Sequence, residues 1–298
     1  VPSRLPAVFN DLQTQKPWLI TKQDGKVCFD MYIFVKQNQK ILIQNAEGDL
    51  FLDFCNFNKE SSRSIYLIGD SQLTTFQNPL IEFGKKHGFK FIPMTVGGCF
   101  YAQGIDEISY RKKIPTGCAH KIQKAWRKKI LADKNAIVII GGRLPLYLSE
   151  RFFDNEEGGI EIGGDNGIYN FRVPVGMRML SYAQRKNHFS NAIVESTIEL
   201  AEHGHKVVLV YPIPEAGWDV PQLLKSKISK NINDISLITT SYDVYKKRSK
   251  PSFDVLNTIQ YKNIFRVYPH KLFCNTKLAG RCLTHDQDHV FYYDDDHP

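Results

Sequence analysis

The sequence predicts an α/β fold in which a parallel sheet is covered by helices on both faces. Two observations predict it. From residue 64 onward, short apolar runs alternate with longer segments whose apolar residues recur at helical spacing. Several of the apolar runs end in glycine, aspartate or serine, as strands do when a turn follows them. The chain has 298 residues, 42% of them hydrophobic, so it can bury a sizeable core.

Residues 1–60 differ from the remainder of the chain. Their apolar runs are short and are separated by turn sequences such as Gln23-Asp24-Gly25 and Ala46-Glu47-Gly48, a pattern typical of short strands. We therefore predict a small β-rich segment over residues 1–60 and an α/β domain over residues 61–298. The chain opens on Val1 without a charged-then-apolar leader, so we expect a processed or excised piece of a longer protein.

Strand and helix alternate along the α/β part. The predicted strands are 64–69, 89–96, 135–142, 206–214 and 263–274. The predicted helices are 71–88, 118–134 and 177–203. Each strand is a nearly continuous apolar run, as in strands buried on both faces. The polar, glycine-rich stretch 154–171 is expected to be an excursion that contains a hairpin.

The charge of the chain favours anionic neighbours without identifying one. The chain has 39 basic and 31 acidic residues, which gives a net charge of +8 and a pI near 9.0. A phospholipid surface, an acidic glycan or nucleic acid would each fit that sign. Basic residues are not interleaved with aromatic ones as in a nucleic-acid patch. We therefore predict no nucleic-acid partner and interpret the charge first as a solvated surface.

Six cysteines are spread over the chain without a CxxC motif, which argues against a zinc ribbon or a thioredoxin-like site. They are Cys28, Cys55, Cys99, Cys118, Cys274 and Cys282. An even count at moderate spacing fits three disulfides, for which 15 pairings exist. The simplest pairing joins sequence neighbours. Such bonds persist in an oxidising compartment, whereas the alternative is six buried thiols in a cytosolic protein.

Candidate catalytic residues lie where the predicted strands end. Gly69-Asp70-Ser71 follows the first strand, Gly97-Gly98 the second and Gly141-Gly142-Arg143 the third. In open α/β sheets, ligands bind beyond these carboxyl ends. Near the end of the chain, Asp294 precedes His297 by three residues. Acyl transfer through serine needs a hydroxyl on a turn, a histidine base, a carboxylate that orients it and donors for the oxyanion. All four are available here.

Each of these features also has a simpler interpretation. Ser71 is a good helix N-cap residue, and Gly97-Gly98 fits a tight turn. A second Asp-x-x-His pair, Asp286 and His289, lies in an all-polar stretch, so we prefer Asp294 and His297, which follow an apolar run. The acidic run 294–296, with His285 and His289, could form a hard-metal site, but EF-hand spacing is missing. We predict no metal.

At these positions the sequence resembles a known family. Gly69-Asp70-Ser71, Gly98, the third strand end and Asp294-x-x-His297 resemble blocks I, II, III and V of SGNH/GDSL hydrolases. The stretches LIGDSQ, VGGCFY, IIGGRLPLYLS and YYDDDHP are similar to the periplasmic SGNH domain that follows an acyltransferase-3 membrane domain in bacterial O-antigen and other cell-envelope polysaccharide O-acetyltransferases. KPWLITKQDGKVCFD is similar to the segment that links the two domains there.

The resemblance implies a three-layer, flavodoxin-like SGNH fold and an acetyl relay. A membrane domain in the same parent chain would bring acetyl groups from cytoplasmic acetyl-CoA, so this domain itself would need no cofactor. Ser71 would accept the acetyl group, with His297 as base and Asp294 as its partner, while N–H groups of Ser71 and Gly98 hold the oxyanion. The acceptor would be a hydroxyl of a surface polysaccharide or lipid-linked glycan of the O-antigen or lipopolysaccharide type, on the periplasmic side of the inner membrane.

The sequence departs from the family pattern in two places. Block III usually offers asparagine as an oxyanion donor, whereas this chain has Arg143. We predict that Arg143 donates in its place; the alternative is that it points away and leaves two donors. The chain stops one residue after His297, so we expect the C-terminal helix to be truncated and the loop with Asp294 to be loosely held.

Three other functions remain open from the sequence. An SGNH carbohydrate acetylesterase would use the same residues with water as acceptor. A non-catalytic glycan-binding module with an SGNH core is favoured by the missing asparagine, while intact Ser71, Asp294 and His297 count against it. A metal-binding interaction domain would rest on the acidic loop near the C-terminus.

Overall fold

The computed structural model describes most of the α/β part and short pieces of the N-terminal segment. The described residues are 22–23, 26–28, 43–44, 50–51, 54–161, 167–177, 179–230 and 236–298. In the N-terminal part, β1 (Lys22–Gln23) pairs with β2 (Lys26–Val27), and β3 (Ile43–Gln44) pairs with β4 (Leu50–Phe51), both antiparallel. Phe57, within the described residues 54–60, forms an antiparallel bridge to Phe91. The other residues of the predicted β-rich segment, apart from Cys28, lie outside the described residues, so the boundary at residue 60 stays a prediction.

Five parallel strands form the central sheet. They are β5 (Ser64–Gly69), β6 (Lys90–Thr95), β8 (Ile137–Ile140), β10 (Lys206–Val210) and β12 (Ile264–Val267). Their spatial order is β6-β5-β8-β10-β12, which is the flavodoxin-like order with a switch point between the first and third strands in sequence. Each predicted strand is present, so the predicted α/β class and parallel sheet are confirmed. The last predicted strand, 263–274, is too long, because it ends at Val267 and residues His270–Phe273 form a short helix.

Both faces of the sheet are covered. Tyr66 and Ile68 of β5 pack in the larger core cluster, and Ile65 and Leu67 pack in a second cluster. This alternation is the direct consequence of the two-residue period of a strand. Because β5 is buried along its whole length, its polar residues can reach solvent only where the strand ends.

The helices lie between the strands along the chain. They are α1 (Ser71–Thr74), α2 (Gln77–His87), α3 (His120–Leu131), α4 (Leu144–Ser149), α5 (Tyr182–Glu202), α6 (Val220–Lys230), α7 (Tyr242–Thr258) and α8 (His270–Phe273). Among the described helices, none combines the length and the apolar character that crossing a membrane would require.

Two predicted helices differ from the observed ones at their ends. The predicted helix 71–88 is divided, because the Thr75 hydroxyl bonds the Gln72 carbonyl at 2.9 Å and the first helix ends there. The predicted helix 177–203 begins at Tyr182 instead. Ser181 and Gln184 form a capping box, which fixes the start of a helix by satisfying two of its free N–H groups.

Two further antiparallel ribbons, in the described residues of the α/β part, lie outside the central sheet. β7 (Ile105–Ile108) pairs with β9 (Phe171–Pro174), and β11 (Thr239–Ser241) pairs with β13 (Arg281–Leu283). Neither pair is predicted from the sequence, because the partners are far apart along the chain. In the predicted excursion 154–171, a bridge between Asp154 and Ile160 closes a short turn.

Three disulfides join the cysteines to their sequence neighbours. They are Cys28–Cys55, Cys99–Cys118 and Cys274–Cys282. This is the simplest of the 15 pairings that the sequence allowed. The second bond lies beside the Gly97-Gly98 turn and therefore ties the end of β6 to the start of α3.

Candidate active site

The turn after β5 presents Ser71 at the first position of α1. Asp70, not Ser71, is the N-cap of this helix: its carboxylate accepts the Gln72 N–H at 2.9 Å. The interpretation of Ser71 as the cap is therefore wrong, and its hydroxyl is available for another partner. Asp70 is fully buried and also accepts the Arg143 N–H at 2.6 Å and the Tyr147 hydroxyl. Burial raises the pKa of Asp70 although these donors oppose the rise.

Glycines let the neighbouring strand ends approach this turn. A Cβ atom on Gly69 would collide with the Gly141 carbonyl oxygen of β8's end, and one on Gly142 would lie 2.5 Å from Asp70 Oδ2. A distance that short is not compatible with a side chain at residue 142 unless the carboxylate moves. Because residues 69 and 142 are glycines, the two strand ends can pack closely enough to bury the Asp70 carboxylate next to Ser71.

Ser71, His297 and Asp294 form a hydrogen-bonded chain. The Ser71 Oγ atom lies 2.8 Å from His297 Nε2, and His297 Nδ1 lies 2.9 Å from Asp294 Oδ2 and 3.1 Å from Oδ1. A neutral imidazole with its proton on Nδ1 would donate to the aspartate and accept from the serine hydroxyl. The structure therefore brings together the three residues that the sequence nominated, in the geometry that serine acyl transfer needs.

The loop that carries Asp294 and His297 is closed on itself. Asp294 Oδ1 accepts the N–H groups of Asp296 at 3.0 Å and His297 at 2.9 Å, and the His297 carbonyl accepts the Tyr293 N–H at 2.9 Å. An aspartate that bonds the backbone two and three residues on is a common way to fix a turn. The same carboxylate thus holds the turn and faces the imidazole.

The segment after β10 holds this loop from the other side. The Asp295 carbonyl accepts the N–H groups of Ala216 at 2.9 Å and Gly217 at 2.8 Å, and the buried Tyr292 hydroxyl donates to the Pro214 carbonyl at 2.6 Å. The expectation of a loosely held loop is therefore wrong. Hydrogen bonds to residues 214–217 hold the loop in place. From the sequence, a helix after His297 was expected to do so.

A second carboxylate also faces His297. Asp296 Oδ1 lies 3.2 Å from Nδ1, and its side chain is 6% exposed, against 33% for Asp294. Burial lowers the pKa of His297, but the hydrogen bonds and charges of Asp294 and Asp296 outweigh it and raise the pKa to about 10. Burial raises the pKa of Asp294, and the bond to His297 brings it below its usual range. Burial and the Asp296 charge raise the pKa of Asp295 to about 7.

Arg143 is enclosed by three carboxylates. Its Nη1 lies 2.9 Å from Glu161 Oε1 and 2.8 Å from Asp296 Oδ2, and its Nη2 lies 2.7 Å from Glu161 Oε2 and 2.5 Å from Glu215 Oε1. The contacts to Glu161 and Glu215 are hydrogen bonds, and the contact to Asp296 is an ion pair in which Asp296 Oδ2 has no hydrogen-bond donor among the described residues. These contacts direct both Nη atoms at carboxylates, which favours the alternative that Arg143 points away. Arg143 as an oxyanion donor in place of the block III asparagine stays a prediction.

Gly98 lies in a tight turn at the end of β6. The Cys99 N–H bonds the Val96 carbonyl at 3.0 Å, and Gly98 has a φ of +73° in the third position of that turn, which a type II turn reserves for glycine. Arg172 Nη2 donates to the Gly98 carbonyl at 2.6 Å. The turn is thus fixed in place. The Gly98 N–H as an oxyanion donor stays a prediction.

Among the described residues, the group that could hold a metal belongs to the same set of contacts. Asp294, Asp296 and His297 offer ligand atoms within 4.8 Å of one another, but these atoms bond one another, Ser71 and Arg143. His285 Nε2 instead accepts the Ile238 N–H at 2.9 Å. The competing pair Asp286 and His289 is solvated, with the His289 side chain 68% exposed. The geometry therefore favours a proton-transfer set over a metal site.

Four polar residues of the site are not predicted from the sequence: Gln72, Glu161, Glu215 and Asp296. Glu215 lies beyond the fourth strand of the sheet, so the strand-end rule could have found it. Asp296 adjoins His297, and Gln72 adjoins Ser71. Glu161 lies in the glycine-rich excursion, and no local signal marks it.

Comparisons with known proteins agree with this architecture. The chain superposes on the periplasmic domain of a lipopolysaccharide acetyltransferase from Salmonella ser. Paratyphi A with a TM-score of 0.52 and 13% identity, over 92% of this chain and 85% of that one. At this identity the likeness concerns the fold. No curated protein matches the sequence. The family model of SGNH domains fused to AT3 domains matches residues 40–298. The chain therefore belongs to the family of SGNH domains that are fused to AT3 domains.

Proposed function

We propose that this chain is the extracytoplasmic domain of a carbohydrate O-acetyltransferase. Membership of a family fused to AT3 domains supports acyl transfer in general. The observation that carries the proposal is the contiguous chain from Ser71 Oγ through both nitrogens of His297 to Asp294, with distances of 2.8 and 2.9 Å. Both bonds lie within the range in which a base can take a proton from a nucleophile.

The first half of the reaction forms an ester on Ser71. As Oγ attacks the acetyl carbonyl carbon, its proton passes to His297 Nε2, and the imidazolium formed is stabilised by Asp294 at Nδ1. The tetrahedral intermediate then collapses, and His297 returns the proton to the leaving group of the donor. The N–H groups of Ser71, at the first turn of α1 where no helical acceptor exists, and of Gly98 would hold the oxyanion.

The second half moves the acetyl group to a sugar. A hydroxyl of the acceptor gives its proton to His297 and attacks the ester carbonyl, and Ser71 regains its proton as it leaves. The acceptor we propose is a surface polysaccharide or lipid-linked glycan of the O-antigen or lipopolysaccharide type. The donor is an AT3 membrane domain of the same parent chain, supplied by cytoplasmic acetyl-CoA.

Three disulfides support a location on the periplasmic side of the bacterial inner membrane, because such bonds persist in oxidising compartments. The same site with water as acceptor would be an acetylesterase. The fusion of this family to AT3 domains favours transfer, since a hydrolase would need no acetyl donor in the membrane.

The test is covalent labelling of the chain by 4-nitrophenyl acetate and by an activated phosphonate, followed by intact mass. We expect one adduct in the wild type, none in Ser71→Ala and one in Ser229→Ala, a matched variant of an exposed serine. Addition of de-O-acetylated polysaccharide should discharge the acetyl adduct with acetylation of the glycan. Discharge to free acetate alone would favour the esterase, and absence of any adduct in the wild type would contradict a reactive Ser71.

A further inference from the structure

We propose that Asp296 is a positioning residue for His297, and that Arg143 holds Asp296 in place while it ties the histidine loop to the serine turn. This inference rests on the proposed function. It gives Arg143 a role that does not depend on an oxyanion contact, and it gives a role to Asp296, an unspecified position of the Asp294-x-x-His297 motif.

The imidazole N–H is shared between two carboxylates that differ in their surroundings. Nδ1 lies 2.9 Å from Asp294 and 3.2 Å from Asp296. Asp294 is the closer and the more solvated of the two, and Asp296 is nearly buried. A charge shielded from water acts more strongly at a given distance, so the longer contact to Asp296 still bears on the histidine.

Arg143 anchors Asp296 in a buried cluster of charges. Its guanidinium also binds Glu161 and Glu215, and Arg248 Nε lies 3.2 Å from the second oxygen of Glu215. The cluster thus contains three carboxylates and two guanidinium groups, so it has one negative charge in excess. Its members are Glu161, Glu215, Asp296, Arg143 and Arg248. Asp296 is the member of this cluster that contacts His297, so a proton on the imidazole would balance the excess.

Two strand ends are joined to the histidine loop through these residues. The Arg143 N–H donates to Asp70 beneath the serine at 2.6 Å, while its guanidinium binds the Asp296 side chain. Gln72 Nε2, next to Ser71, donates to the Asp296 carbonyl at 2.8 Å, and this bond is buried. A shift of Asp296 would therefore move the imidazole relative to the serine hydroxyl, a distance on which proton transfer depends.

The role predicts a pH effect whose sign follows from the contacts. Asp294 and Asp296 face His297, with Arg143 and Glu161 behind Asp296 and with Asp295 alongside. Both facing carboxylates favour the imidazolium, whereas attack by Ser71 needs the neutral ring. Activity should rise with pH as His297 loses its proton. Removal of the Asp296 charge should move that rise to lower pH, whereas a residue that only stabilises the fold would change the rate without moving the midpoint.

The test compares Asp296→Asn with the wild type in the rate of Ser71 acylation by 4-nitrophenyl acetate, corrected for spontaneous hydrolysis of the ester, from about pH 6 to about pH 11. We expect the midpoint to fall by about one unit or more, the effect of one nearby opposite charge. Asp286→Asn, from the solvated Asp-x-x-His pair, is the matched control and should keep the wild-type midpoint. An unchanged midpoint in Asp296→Asn would overturn the proposal.

A second readout does not depend on activity. The ring protons of His297 can be followed by NMR through the same titration in the wild type and in Asp296→Asn, which separates failure of this inference from failure of the proposed function. For Arg143, we expect Arg143→Lys to slow acylation about tenfold in the wild type and to add little in the Asp296→Asn background, because its effect passes through Asp296. Equal effects in the two backgrounds would refute the anchoring role.

Discussion

Replacement of Arg143 by methionine should cost the domain a large part of its stability. The guanidinium is 8% exposed, and the three carboxylates around it are 4 to 8% exposed. Arg248 still neutralises Glu215 in this variant, but Glu161 and Asp296 lose their cation. Removal of one partner from a buried ion pair costs about 3–5 kcal/mol, because a charge is left without compensation. A domain is stable by about 5–15 kcal/mol in total, so Arg143→Met should remain folded only marginally.

The loss should depend on pH with a defined sign. In the wild type, burial raises the pKa of Glu215, but the charges of Arg248 and Arg143 outweigh it and hold the pKa below its usual range. A lowered pKa stabilises the fold above the unfolded value of about 4.3 and loses that contribution as pH falls. In Arg143→Met, Glu215 keeps Arg248 but loses one of the two cations that hold its pKa down, so part of the stabilisation that the wild type has near neutral pH is missing, and this part matters less on acidification. The difference between the two proteins should therefore shrink as pH falls.

Urea unfolding near pH 7 and near pH 5 measures both effects. Arg127→Met is the matched control, since Arg127 forms a two-point pair with Glu199 whose side chains are 39% and 27% exposed. Partly exposed pairs contribute about 0–1 kcal/mol, so this variant should be close to the wild type at both pH values. If Arg143→Met loses no more stability than Arg127→Met, the reasoning about the buried cluster is wrong.

Three further predictions concern the catalytic set and its supports. Asp294→Asn should reduce Ser71 acylation by about 10²–10⁴ with little change in melting temperature, because the imidazole loses the nearer of its two carboxylates and only Asp296 is left to hold its tautomer; a loss under tenfold would contradict this. Gly98→Ala should lower both stability and acylation, since its Cβ would lie 2.6 Å from Tyr169 Oη, and Tyr169→Phe should rescue part of the loss. Removal of the Cys99–Cys118 bond by alanine substitution should cost about 3 kcal/mol in urea unfolding, and an unchanged midpoint would argue against that support.

The sheet could be predicted because its signals are local. β5, β6, β8 and β10 are mostly apolar runs, which is the signature of a parallel strand buried on both faces. β12 contains Arg266 and exposes half of Phe265, as the edge of a sheet allows. The ends of the helices were harder to predict from the sequence. The break after Thr74 depends on one side-chain hydrogen bond, and the start at Tyr182 depends on a capping box whose residues also fit a longer helix.

The site divides in the same way. Ser71, Asp294 and His297 were accessible because each lies at a strand end or in a short recognisable motif. The partners of Arg143 could not be predicted. They are the carboxylates of residues 161, 215 and 296, and a sequence does not show which distant carboxylates will lie together in the fold. Its position after β8 was correctly located, but the direction of its side chain is decided by long-range electrostatics.

The distance between the serine and its base along the chain sets an order of events during synthesis. Ser71 and His297 are 226 residues apart, and all five strands of the sheet leave the ribosome before the histidine does. Closure of so long a span is a late step, since its entropic cost must be met by contacts already made. Before His297 is in place, Ser71 would lack its base. A phosphonate probe would therefore label only molecules in which the loop with Asp294 and His297 has docked against the serine turn. The reactivity of Ser71 towards the probe would thus measure the fraction of molecules in which this loop has folded.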